Sequence, residues 1–138
     1  MMPQRILAID PGREKCGLAA MDRQQGVLQQ AIVDCPQLLD MVNSIAQRYK
    51  CRILVLGNGT AATATKEKLL TLLRERQVEK IELINERNST QEARLRYWLA
   101  HPPSGWRKFI PAGLLAPPCA IDDFAAIILG ERYFAKNQ

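Results

Sequence analysis

Three stretches of the chain offer carboxylates where an α/β protein does its chemistry: Asp10-Pro11-Gly12, Glu86-Arg87 and Asp122-Asp123. The first follows Ile6, Leu7, Ala8 and Ile9, a continuous apolar run of the kind a central strand covered on both faces requires. Pro11-Gly12 then forces a turn. An acid at the carboxyl end of a central strand stands where open α/β sheets bind their ligands. Each acid also has a plainer reading. Asp10 could simply start the turn, Glu86 could pair with Arg87 or Lys80, and Asp122 could cap a helix. The choice depends on whether the elements that carry these acids bring them together.

The elements can be read in order. After the Pro11-Gly12 turn, residues 16–22 form a second, mostly apolar strand, and Gln24-Gln25-Gly26 reverses the chain into a third at 27–34. Short connections make these three strands an antiparallel meander, with Asp22 and Asp34 as turn residues. Pro36 opens a helix whose stripe of Leu38, Leu39, Val42, Ile45, Ala46 and Tyr49 should face the sheet. A buried strand at 52–57, a helix at 63–76 and a fifth strand at 80–85 follow, and Glu86 stands at the end of the last. Ser89-Thr90-Gln91-Glu92 fits a capping box for a third helix, which makes Glu92 a capping residue. Residues 101–118, with five prolines and two glycines, read as a long loop. The final helix starts at Asp122 and is apolar nearly all round.

Right-handed crossovers place the fourth and fifth strands parallel to the first. The expected fold is a five-stranded mixed sheet of order 3-2-1-4-5, strand 2 antiparallel, with helices on both faces. Asp10 and Glu86 then point into one crevice. A last helix with its amino end at that crevice would add Asp122 and Asp123.

Composition narrows the function classes. The 138 residues suit one domain, 1–138, with a core that needs no disulfide or structural metal. A net charge of +5 and a pI near 9.2 favour polyanionic partners such as nucleic acid. Cys16, Cys35, Cys51 and Cys119 are scattered and the chain has one histidine, which argues against a zinc site. No apolar run approaches the ~20 residues of a membrane span and no signal-peptide pattern is present, so a cytoplasmic protein with reduced thiols and no membrane contact is expected.

Four motifs carry a family resemblance. Asp10-x-Gly12-x-x-Lys15-x-Gly17, Leu54-Val55-Leu56-Gly57, Glu86-Arg87-x-Ser89-Thr90-x-x-Ala93 and Asp122-x-x-Ala125-Ala126 occur in the order found in the YqgF (RuvX) family of the ribonuclease H-like superfamily. Members are described as Holliday-junction resolvases and as nucleases that mature pre-16S ribosomal RNA. Pro11 departs from the family pattern and is similar to the opening motif of RuvC resolvases. The loop before the last acid is usually strongly basic in the family, whereas here it is proline-rich and has only Arg107 and Lys108.

The resemblance implies a metal-dependent nuclease of structured nucleic acid, with Asp10, Glu86 and Asp122 as catalytic acids and metal ligands. It implies Mg²⁺ or Mn²⁺, as two ions, which would relieve the repulsion among converging carboxylates. Asp10 would be the shared ligand and Asp123 an alternative or supporting one. A catalytically inactive nucleic-acid-binding scaffold of the same fold is the competing reading. Junction resolution requires two active sites, so both a monomer and a homodimer stay open. Arg13, Lys15, Asn58, Thr60 and Arg87 lie beside the motifs and are candidate phosphate contacts. Trp106-Arg107-Lys108-Phe109 mixes aromatic and basic groups, suited to stacking on unpaired bases, or else its rings cover the core. Arg94 and Arg96 read as the wet face of the third helix.

Overall fold

The computed structural model describes residues 4–138. Strands β1 (Arg5–Asp10), β2 (Lys15–Asp22), β3 (Gly26–Asp34), β4 (Ile53–Gly57) and β5 (Lys80–Ile84) form one sheet in the order β3-β2-β1-β4-β5. β1 is antiparallel to β2 and parallel to β4, and β4 is parallel to β5. The expected sheet is therefore the observed one. Asp22 fills its turn role, as its Oδ1 accepts the Gln24 and Gln25 amides at 2.8 and 3.0 Å.

The alternation along β1 assigns the helices to faces. Leu7 and Ile9 pack with Leu38, Val42 and Ile45 of α1 (Leu38–Tyr49) and Leu69 and Leu72 of α2 (Ala62–Arg74). Ile6 and Ala8 point the other way, onto Ala126, Ile127, Leu129 and Tyr133 of α4 (Asp122–Lys136). All four β1 residues are completely buried, as their unbroken apolar run requires. α3 (Ser89–Ala100) lies on α4 through Ala93, Ala125 and Ile128. No helix among the described residues is long and apolar enough to cross a membrane.

Three local expectations need correction. Pro36 lies in a 3-10 turn, Cys35–Gln37, and α1 begins after it at Leu38. The capping box does not form: Asn88, at φ 63°, is the N-cap of α3 and makes no side-chain cap bond. Ser89 is buried inside the helix, and Glu92 pairs with Arg132 of α4 at 3.1 Å. Arg94 is not on a wet face, because its Nη1 donates to the Gly113 carbonyl at 3.1 Å and clamps the following loop.

Candidate active site

Asp10 is the last residue of β1 and continues the Ile6–Ala8 alternation onto the α4 face. Its cross-strand partner on β2 is Gly17. A Cβ at Gly17 would run into the Asp122 carbonyl and come within 2.7 Å of the Asp123 amide nitrogen. This missing side chain lets the amino end of α4 settle beside Asp10.

The other flank is built the same way. Gly57 stands one step beyond the paired Ile9 and Leu56, and a Cβ there would lie 2.6 Å from Oε2 of Glu86. A Cβ at Gly59 would meet the same carboxylate. Glu86 thus lies over two glycines, and its backbone is fixed from β4, since the Glu86 amide donates to Asn58 Oδ1 at 3.3 Å. The Asn58 amide donates in turn to the Ile84 carbonyl at 3.0 Å. Asn58 therefore positions Glu86.

The electrostatics follow from this placement. Burial pushes the Asp10 carboxyl up to about 7, and the charges of Glu86 and Asp122 add to the rise. Asp122 is also raised, first by burial and then by Asp123, with Lys15 pulling the other way. Asp123 is held by Gln30, whose Nε2 donates to its Oδ2 at 2.9 Å. The plainer readings of Glu86 and Asp122 fare poorly. Asp122 makes no cap bond, and the residue before it is the N-cap. Lys80 pairs with Glu82, and Glu86 has no ion pair among the described residues.

The donor set is all carboxylate oxygen, the chemistry a hard divalent cation selects. A half-buried acid driven toward neutrality by burial and, after it, by two neighbouring carboxylates fits that demand. The gathering is loose, however. Among the described residues no three His, Cys, Asp or Glu side chains stand close enough to hold a metal ion.

The basic residues are spread around the crevice. Arg13 and Thr60 line a cavity of about 330 Å³ with Gly12, Thr65 and Lys68. Lys15 is exposed and close enough to act on Asp122. Arg87 lines a different cleft, of about 500 Å³, with Arg132 and Lys136. Arg107 and Lys108 project from the loop after α3. The rings of Trp106 and Phe109 do not cover the core, being 69% and 80% exposed.

Gly17 and Gly57 stand within the sequence motifs, where their role is not apparent from the neighbouring residues. A glycine at an otherwise buried strand position signals close approach by another group, and that signal was present in both. Lys68 was also missed, and nothing in the local sequence sets it apart from its neighbours on α2.

A five-stranded mixed sheet with α1 and α2 on one face and α4 on the other defines a ribonuclease H-like fold. Its likeness to solved structures bears this out. The fowlpox virus Holliday junction resolvase superposes with a TM-score of 0.62 at 14% identity, over 97% of this chain and 99% of that one. The RuvC structure from Thermus thermophilus superposes with a TM-score of 0.56, also at 14% identity, over 96% of this chain and 94% of that one. Curated protein sequences give no significant match. The family model described as the Tex protein YqgF-like domain matches residues 4–91, and the chain belongs to that family. The matched span contains Asp10, Gly17, Gly57 and Glu86 and ends before Asp122.

Proposed function

We propose that the chain is a Mg²⁺- or Mn²⁺-dependent nuclease that hydrolyses phosphodiester bonds in structured nucleic acid, pre-16S ribosomal RNA ahead of four-way junction DNA. The observation that carries this reading is the pair of glycines flanking Asp10, which make room for Glu86 on one side and the start of α4 on the other. Three far-separated segments have given up side chains or surface to bring acids to one strand end. A merely structural turn needs none of this.

In this reading Asp10, Glu86 and Asp122 would hold the cations, and Asp123 would support Asp122. Bound there, the two ions supply an activated water and charge neutralisation at the leaving oxygen. Asp10 binds a cation only after losing its proton, so a value near 7 makes cation binding compete with protonation around neutral pH. Glu86, resting over glycines, is free to turn its carboxylate toward Asp10. Arg13, Lys15 and Lys68 line the approaches and attract the phosphate chain.

A second reading, a nucleic-acid-binding scaffold without catalysis, draws on the loose spacing of the acids. Cation titration followed by calorimetry separates the two. The nuclease requires Mn²⁺ or Mg²⁺ binding that Asp10→Asn removes, and cleavage of precursor ribosomal RNA or a synthetic four-way junction that is lost with it. Absence of binding at millimolar metal, together with no cleavage of either substrate, would establish the scaffold.

A further inference from the structure

Between Glu92 and Asp122 the chain has no carboxylate, yet it carries Arg94, Arg96, Arg107 and Lys108. The loop within this stretch divides into a pinned base and a bare tip. At the base, Trp98 Nε1 donates to the Leu115 carbonyl at 2.9 Å, beside the clamp from Arg94 to Gly113. At the tip, the 3-10 turn Gly105–Phe109 buries none of its residues. Gly105 enters that turn at φ 64°, with nothing within 4 Å of where its Cβ would be.

The tip holds two large exposed rings, each with a cation beside it. The Arg107 guanidinium is 5.8 Å from the Trp106 ring centre, and the Lys108 ammonium is 5.3 Å from that of Phe109. Two exposed rings within one short turn concentrate apolar surface at a single point, and clustered exposed apolar surface marks interaction sites. Protein-binding patches are depleted in lysine, whereas a cation beside each ring and the lack of any acid along the stretch favour a polyanion with flat apolar faces. Bases offer such faces only when unpaired.

The two limbs of the loop start and end beside the amino end of α4. The His101 ring, where the loop leaves α3, is 6.3 Å from Phe124, and the returning limb runs straight into Asp122. Cys119 and Ala120 on that limb line a cavity with Lys15.

We infer that the Gly105–Phe109 turn is a single-strand clamp: Trp106 and Phe109 stack on unpaired bases of the bound strand, while Arg107 and Lys108 neutralise the flanking phosphates. That the clamped strand is also the one cut rests on the nuclease reading, but the stacking can be tested apart from it. The probe is a fluorescein-labelled oligouridylate, compared with a blunt RNA duplex, by anisotropy in EDTA. Trp106→Ala and Phe109→Ala should each weaken oligouridylate binding about 10-fold, with Trp106→Phe close to wild type and duplex binding unchanged. Lys108→Ala should flatten the salt dependence of single-strand binding by about 0.7 in log–log slope.

Asp10→Asn should bind oligouridylate normally while failing to cut. If it cuts as well as wild type while Trp106→Ala still binds weakly, the nuclease reading falls and the clamp stands. Unchanged single-strand binding in the Trp106→Ala, Phe109→Ala double variant would overturn the clamp, as would an equal loss for the duplex. A dimer that the double variant dissociates, with oligouridylate binding unaltered, would overturn it in favour of a self-association surface.

Discussion

The acid crevice and the loop tip are held by opposite means. In the crevice, Asp10 is fixed by its pairing with Gly17 and by the Ile9–Leu56 pair just before it, and Glu86 and the amino end of α4 approach it over glycines. At the tip, Trp106 and Phe109 stand clear of the body on a turn whose base is pinned by Trp98 and Arg94. Hydrolysis demands fixed charges, whereas binding a flexible strand demands exposed, adaptable surface. In the proposed nuclease, one 138-residue chain would keep its chemistry on the sheet and its recognition of unpaired bases on the loop.

The widest separation between the regions should be in catalysis. Asp10→Asn should lower cleavage at saturating substrate by at least about 10³-fold, a barrier increase of about 4 kcal/mol. Trp106→Ala should raise KM and leave kcat near wild type, because stacking contributes to binding in ground and transition states alike. Single-turnover cleavage of one labelled substrate by both variants checks the contrast. Equal losses of kcat would mean the tip helps to build the reactive geometry, and the division between regions would fail.

Stability should separate them next. Gly17→Ala puts a methyl group against the backbone of Asp122 and Asp123, which cannot rotate away, so α4 must shift from β2. A loss of about 3 kcal/mol is expected from the overpacking, read as a lower urea midpoint. Gly59→Ala meets only the Glu86 carboxylate, the far end of a flexible side chain. It should unfold almost like wild type and still lose cation binding. If both variants were equally stable, close packing at Gly17 would not be what seats α4.

Much of the crevice was legible because its carriers are local patterns. The apolar run before Asp10, the stop at Pro11-Gly12 and the short turns of the meander give the sheet order and bring Asp10 and Glu86 to one end. What could not be read depends on partners distant in sequence. Gly17 matters because of Asp122, and Gly57 because of Glu86. The failed capping box has the same origin. Asn88 takes the left-handed conformation that Asn tolerates, the helix starts one residue earlier than the pattern implies, and α4 draws Glu92 to Arg132. Arg94 looked solvated because the loop that covers it comes nineteen residues later. Trp106 and Phe109 read as core candidates by composition alone, and their exposure follows from where the turn projects.

Proton linkage gives a smaller and more specific contrast. Asp10 titrates at about 7 when folded, against an ordinary value of 3.8, so between those values the native state binds the extra proton. Without divalent cations, stability should therefore fall as pH rises from about 4 to about 7, and Asp10→Asn should remove that fall. The variant should be more stable than wild type at pH 8 by about 2 kcal/mol. This is roughly half the value from about 1.4 kcal/mol per tenfold change in proton affinity, because the half-buried carboxylate retains some water. Mn²⁺ should stabilise wild type more at pH 8 than at pH 6. Melting curves at both pH values, with and without metal, test the sign as well as the size.

The smallest effect is expected where the sequence shows the most apolar surface outside the core. Removing a buried Trp or Phe typically costs 3–5 kcal/mol, most of it lost burial and the cavity left behind. Trp106 and Phe109 have little burial to lose at 69% and 80% exposure, and the turn they stand on contributes no buried residue. The Trp106→Ala, Phe109→Ala double variant should thus keep its urea midpoint, with a change under about 0.5 kcal/mol. A loss of about 2 kcal/mol or more would mean that the rings pack onto the body in solution. Their exposure would then have no bearing on binding, and the tip would belong with the crevice as part of the fixed frame.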